Sequence, residues 1–220
     1  MSAPVVLHHA PQSRSFRILW FLHEAGIAHE VRYHSFAGKA LREAAFLSIS
    51  PAGRVPAVEV DGLSMAESGA ILEYLAETRA SELGRAPGHT ERAAWLEWLH
   101  HGETIAQHLQ ALTFQHVVLR PEARSPALAR LEALRLVRVL EGVAGRLGAH
   151  DWLLPGGFSA ADVMIGASLE IARRFVRLET LPALAEYYSR ATARPAFGAA
   201  RLADGPGELY RRDFYEVADD

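Results

Sequence analysis

The 220-residue chain contains no cysteine, and that absence removes a good deal of chemistry. No disulfide framework can form and no protein thiol can attack a disulfide, so any sulfur chemistry has to arrive on a small molecule. Long apolar runs are missing too. Stretches such as residues 18–22 are far too short to cross a bilayer, and the N-terminus shows no basic flank leading into a secretory core, so a cytoplasmic location is expected. There is no basic run: the formal net charge is −3 and arginines are scattered among acids, which leaves no electrostatic footprint for nucleic acid. Histidine is plentiful, at 11, yet His8-His9 and His100-His101 are adjacent pairs that point apart, and no His-x-x-x-His pair offers two ligands from one helix face. Glu97 and His101 stand four apart as a possible pair, but no metal is expected.

Half of the residues are apolar, enough for a sizeable core. Over the first eighty residues strand-like and helix-like patterns alternate. Residues 5–8 open on β-branched side chains; residues 15–24 carry Phe16, Ile18, Leu19 and Leu22 at helical spacing before Gly26. Residues 29–34 alternate, residues 39–47 read as helical, residues 56–60 alternate again, and Asp61-Gly62 is a strong hairpin signal. Residues 67–78 then place Ile71, Leu72 and Leu75 on one helical face, which gives the order βαβαββα. Ser81, Gly84, Pro87 and Gly88 mark a linker over residues 80–90. Beyond it strand signals vanish. Trp95, Trp98, Leu99, Ile105, Leu109 and Leu112 define one long helix, and Leu128, Leu131, Leu134, Val137, Leu140 and Val143 a second. Ser159-Ala-Ala-Asp162 resembles a capping box with Asp for Glu, and Pro182 suits a helix's first turn. The expectation is an α/β domain over residues 1–79 and an all-α bundle over residues 91–220.

One stretch asks for more than fold. In SPAGRVPAVEVDGLSMAES, residues 50–68, a Val-Pro bond enters a strand, where proline is tolerated at starts and edges. A cis bond there would turn the main chain of Val55 outward as an edge for an extended peptide. Glu67 and Ser68 follow at a helix start, where amide donors favour a carboxylate, Ser68 adds a hydroxyl and Glu67 an acceptor for an ammonium. Together these suit a peptide with an α-amino-acid end.

These segments resemble the soluble glutathione transferase family. SPAGRVPAVEVDG is similar to its cis-proline loop and third strand, AESGAILEYL to its Glu-Ser helix start, FSAADVMIGASLEIARR to its capping-box helix, and RATARPAFGAA to its C-terminal segment. The resemblance spans nearly the whole chain. It implies a thioredoxin-like N-terminal domain, an all-helical C-terminal domain, glutathione as cosubstrate with Val55, Pro56, Glu67 and Ser68 in its site, and a homodimer.

The resemblance also implies a side chain that activates the thiol just after the first strand, a place the family fills with Tyr, Ser or Cys. In HHAPQSRSFRILW there is neither Tyr nor Cys, so Ser13 is expected, with Ser15, Arg14 and Gln12 as alternatives. A free cysteine thiol ionises near pH 8.5. A helix N-terminus adds roughly 0.3–1 kcal/mol and a hydrogen bond to the anion roughly 1.5–3 kcal/mol, together roughly one to three pH units. Arg54 and Lys39 are candidate cations for the second carboxylate of glutathione, and Arg17 faces either the ligand or a partner. The helix of Trp98, His101, Ile105 and His108 is expected to line a pocket for an apolar electrophile. A non-catalytic binding protein on the same scaffold is the alternative.

Overall fold

Val5 and Leu7 are entirely buried, and the strand that carries them, β1 (Val5–His9), sits inside a four-stranded sheet. The computed structural model describes residues 4–216; residues 1–3 and 217–220 of the expected domains lie outside that range. β1 pairs in parallel with β2 (His29–Tyr33) and antiparallel with β3 (Ala57–Val60), which continues into β4 (Leu63–Ala66), in the order β2-β1-β3-β4. In register, Leu7 lies opposite both Val31 and Val58, and Val58 opposite Met65. The hairpin closes through Asp61 and Gly62, both at positive φ (54° and 77°), the conformation an Asp-Gly turn supplies at low cost.

Helix α1 (Phe16–Glu24) buries Phe16 and every residue from Ile18 to Leu22, and Arg17 with them. The helix expected over residues 39–47 is instead a 3-10 turn, Ala40–Arg42, followed by one turn of α2 (Ala44–Leu47). Glu43 between them is extended (ψ 148°), which breaks the continuous helix. α3 (Ser68–Thr78) packs on the sheet through Ile71, Leu72 and Leu75. The sheet and these helices form the thioredoxin-like arrangement, and all that follows is helical: α4 (Arg92–Thr113), α5 (Pro126–Leu147), α6 (Ala160–Ala172), α7 (Pro182–Thr192) and α8 (Pro195–Ala203).

α6 is the axis of this half, buried along nearly its whole length. Its start is fixed by a reciprocal capping box: Ser159 Oγ accepts from the Ala161 amide, and Asp162 accepts from the Ser159 amide at 2.9 Å. Two glycines let neighbours approach closely. A Cβ on Gly166 would lie 2.8 Å from the ring of Trp20 on α1, and one on Gly102 of α4 would lie 2.4 Å from the sulfur of Met164. α5 departs from its expected face. Leu128, Leu131 and Leu134 are exposed, while Ala129, Glu132, Leu136, Leu140, Val143 and Leu147 face inward.

Candidate active site

A cleft of about 450 Å³ opens between the sheet-bearing half and the helical half. Its near wall comes from the loop after β1 (Gln12, Ser13, Arg14), the turn before α2 (Gly38, Leu41, Arg42) and the loop before β3 (Gly53, Arg54, Val55). Its far wall is Ala106, Leu109, Gln110, Thr113 and Phe114 of α4 and its extension, Ile171 of α6, and Leu209 and Tyr210. α4 runs on into a π-helical turn, Phe114–Val118, which brings half-exposed Phe114 and Val118 to the rim. A smaller recess of about 120 Å³ shares Arg14, Arg54 and Val55 with the cleft and is closed by Pro56, Glu67, Ser68 and Glu103.

The loop at residues 50–56 gives this recess its floor. The Val55-Pro56 bond is cis, and the main-chain N–H and C=O of Val55 make no hydrogen bond among the described residues. Ser50 Oγ bridges the loop by donating to the Arg54 carbonyl at 2.8 Å. Opposite, Glu67 is exposed at the N-cap of α3 with φ 69°, and Ser68 follows it into the helix. Ser68 Oγ accepts from Arg17 Nη1 at 2.8 Å, which leaves its own O–H free to donate.

Arg17 is not a surface residue, and it is among the residues that line the cleft. Its guanidinium is 2 % exposed and also donates to the Gly102 carbonyl at 3.0 Å, to Ser168 Oγ at 3.1 Å and to Glu103. Burial pulls the Arg17 guanidinium down from its ordinary value, with Glu103 pushing it back up. Burial likewise acts to raise Glu103, but Arg17 and Arg14 outweigh it and hold this carboxyl below the usual range. Arg14 reaches Glu103 at 2.7 Å.

The four candidates for thiol activation separate cleanly. Ser13 lines the cleft, its Oγ accepting from the Ser15 amide at 3.1 Å and lying 2.7 Å from Ser15 Oγ. Ser15 is fully buried, accepting from the Ala10 amide at 3.1 Å, with its Oγ 2.8 Å from His9 Nδ1, so it does not reach the cleft. Gln12, at φ 59°, spends its side chain on the C-terminal segment: Oε1 accepts from the Leu209 and Tyr210 amides at 3.0 and 2.8 Å. Arg14 lines both spaces but is held by Glu103.

Two groups of expectations need correction. Lys39 is exposed and does not line the cleft; Arg42, three residues on, does, and Arg54 lines both the cleft and the recess. The acceptor-pocket residues sit on the wrong face of the right helix. Trp98 and Ile105 are core, His108 pairs with Glu132 of α5 at 2.6 Å, and His101 packs edge-on against Trp98. Arg146 of α5 covers Trp98 at 4.2 Å and takes Glu97, which therefore does not pair with His101. The cleft face is Ala106, Leu109, Gln110 and Thr113, an i, i+3, i+4, i+7 stripe. Among the described residues no three His, Asp or Glu side chains converge to hold a metal ion, and no helix is long and apolar enough to cross a membrane.

Residues 3–77 match the family described as "Glutathione S-transferase, N-terminal domain". The disulfide-bond oxidoreductase YfcG of Escherichia coli is 32% identical over 211 residues, covering 89% of this chain and 94% of that one. Glutathione S-transferase 3 of Schizosaccharomyces pombe is 36% identical over 187 residues, covering 77% and 75%. The crystal structure of a glutathione transferase from Methylococcus capsulatus superposes with a TM-score of 0.77 at 31% identity, covering 91% and 98%. A cis-proline ledge facing a Glu-Ser helix start, on a chain similar to glutathione S-transferases over most of its length, makes the protein a member of the glutathione S-transferase family.

Proposed function

We propose that the protein binds reduced glutathione in the recess, ionises its thiol at Ser13, and delivers the thiolate to an electrophilic small molecule in the larger cleft. The observation that carries this reading is the continuity of the two spaces: Val55, Arg14 and Arg54 line both, with Ser13 in one and Ser68 in the other. The open N–H and C=O of Val55 can pair with a peptide backbone. Ser68's hydroxyl and the α3 amides suit the carboxylate of an α-amino-acid end, and Glu67 its ammonium. Arg54 and Arg42 are the cations for the second carboxylate. The apolar far wall, with Leu109, Phe114 and Ile171, suits a hydrophobic acceptor.

The likeness to YfcG supports a second outcome of the same first step, glutathione-dependent disulfide reduction. In a chain without cysteine the reducing sulfur has to be glutathione's own. Titration of glutathione at pH 7, followed by the ultraviolet absorbance of the bound thiolate, tests the shared step. Wild type is expected to show the thiolate, and Ser13→Ala to raise the thiol's apparent pKa by about one to two units, the worth of a hydrogen bond to an anion. An unchanged value in Ser13→Ala overturns Ser13's role. Rates with an aryl halide, an organic hydroperoxide and a mixed disulfide then separate conjugation, peroxide reduction and disulfide reduction; binding without turnover of any would leave a glutathione-binding scaffold.

A further inference from the structure

Behind Ser13 a file of polar groups leads away from the cleft into the core. Ser13 Oγ lies 2.7 Å from Ser15 Oγ, which lies 2.8 Å from His9 Nδ1. His9 Nε2 in turn sits 3.1 Å from the carbonyl oxygen of Asp204 and 3.3 Å from its carboxylate Oδ1. His9 and Ser15 are fully buried and Asp204 is 2 % exposed, so water does not break the file.

Ser15's hydroxyl hydrogen has three acceptors within reach, His9 Nδ1, Ser13 Oγ and, farther at 3.2 Å, the Ala10 carbonyl, and the two shorter contacts define the file. Both neighbours of Nε2 are oxygens that only accept, so Nε2 carries a hydrogen in every state. In neutral His9, Nδ1 is then an acceptor. Ser15 directs its hydroxyl hydrogen to it, and Ser13 directs its own to Ser15, away from the cleft. In protonated His9 the order reverses: Nδ1–H donates to Ser15, Ser15 donates to Ser13, and Ser13's hydrogen is released into the cleft. Ser13 Oγ already accepts from the Ser15 amide in both states.

We propose that His9 is the base that receives the glutathione thiol's proton, relayed through Ser13 and Ser15; this rests on the reading that the thiol lies against Ser13. The thiol S–H breaks as Ser13 Oγ takes its proton, Ser13 passes its original hydrogen to Ser15, and Ser15 passes its own to Nδ1. Three bonds to hydrogen form and three break, with no other reactant. The products are a thiolate that accepts from Ser13 and an imidazolium held by Asp204. The Asp204 carboxylate and the carboxyl end of α8 both face Nε2, on the side of the ring away from Ser15. Arg201 shares that carboxylate at 3.1 Å, and Tyr33 meets the His9 ring edge-on. His34, whose amide donates to the His9 carbonyl, is held below the usual histidine range by burial and by His8 and His9, so it adds no competing charge at neutral pH.

The test counts protons. In weakly buffered solution at pH 7, proton release on saturation with glutathione is compared with release on binding S-methylglutathione, which has no thiol hydrogen, while absorbance counts the thiolate. The relay requires wild type to form thiolate with far less than about one proton released for each, and the His9 ring, followed by nitrogen NMR, to become doubly protonated on binding. Ser15→Ala interrupts the file, and any thiolate it forms is expected to release about one proton. One proton per thiolate in wild type, or a His9 ring that stays singly protonated, overturns the relay. If that result comes with a Ser13→Ala variant that still loses the thiolate, only the relay falls; if Ser13→Ala keeps the thiolate, the placement of the thiol at Ser13 falls first.

Discussion

Replacing Glu103 by Gln removes one charge from the Arg17–Glu103 ion pair beside the site. Arg17 on α1 donates to Ser68 at the start of α3, to Gly102 and Glu103 on α4, and to Ser168 on α6, so one guanidinium pins four helices around the recess. Taking away the partner of a fully buried charge costs about 3–5 kcal/mol. Here the loss is smaller, because Glu103's side chain is 44% exposed and solvent screens it, and because a Gln oxygen can still accept from Arg17. A loss of about 2 kcal/mol at pH 7 is expected, which for a chain of this size lowers Tm by about 4–8 °C.

The pH dependence supplies the sharper check. Arg17 and Arg14 hold the Glu103 carboxyl below its ordinary range, so the pair's contribution is fully present above the unfolded carboxylate value and is lost as pH falls through the folded one. The amide of the Glu103→Gln variant cannot titrate. In urea melts the gap between wild type and Glu103→Gln is therefore expected to be widest near neutrality and to close below about pH 4, near the ordinary Glu value. A gap that is absent at pH 7, or that stays constant down to pH 3, would refute the assignment of the stabilisation to this charge pair.

Gly166→Ala sets a Cβ against the rigid Trp20 ring, whereas Gly102→Ala meets the flexible end of Met164. Both gain helix propensity equally, so thermal melts should show Gly166→Ala the less stable by about 1–3 kcal/mol, the usual cost of overpacking; equal losses would show that the ring yields. Asp162→Ala strands the Leu153 and Ser159 amides and the Tyr187 hydroxyl, now 3.0, 2.9 and 3.1 Å from its carboxylate, and is expected to cost about 3–5 kcal/mol by denaturant titration. Burial, opposed by those hydrogen bonds, pushes the Asp162 carboxyl up to about 6. A raised carboxyl takes up a proton in the folded state first, so wild type should gain stability relative to Asp162→Asn as pH falls from 6 toward 4. Gln12→Ala frees the Leu209 and Tyr210 amides, and their hydrogen exchange should quicken at least about tenfold without a comparable change in the β1 amides.

The elements that sequence made legible are those whose signals lie within a few residues of one another. The Asp61-Gly62 turn, the Ser159–Asp162 box, the Val55-Pro56 ledge and Ser68 at a helix start each state their local geometry in adjacent side chains, and together they locate the recess. Faces of long helices are harder. On α5, Leu128, Leu131 and Leu134 advance in steps of three, and each step falls about 60° short of a full turn, so the row walks off the core, which follows Ala129, Glu132, Leu136 and Leu140. α4 carries two acceptable stripes. Trp98 and Ile105 belong to the one that meets α5 and α6, and nothing in the spacing says that Ala106, Leu109 and Thr113 face the cleft.

Least legible are the long-range pairs around the recess. Arg17 stands out as a cation in an apolar helix, but its counter-charge is 86 residues away, and the carboxylate behind His9 is farther still, at Asp204. Both pairs join the sheet-bearing half to the helical half. Local motifs on the first half therefore say where a tripeptide can lie, while the protonation and orientation of the groups that would act on it depend on residues that only folding brings close. Under the relay proposed above, a family member that kept Val55, Pro56, Glu67 and Ser68 but lost Asp204 would keep the recess and handle its protons differently. Among relatives on this scaffold, similarity across the first domain alone is thus weak evidence for a shared acid–base mechanism.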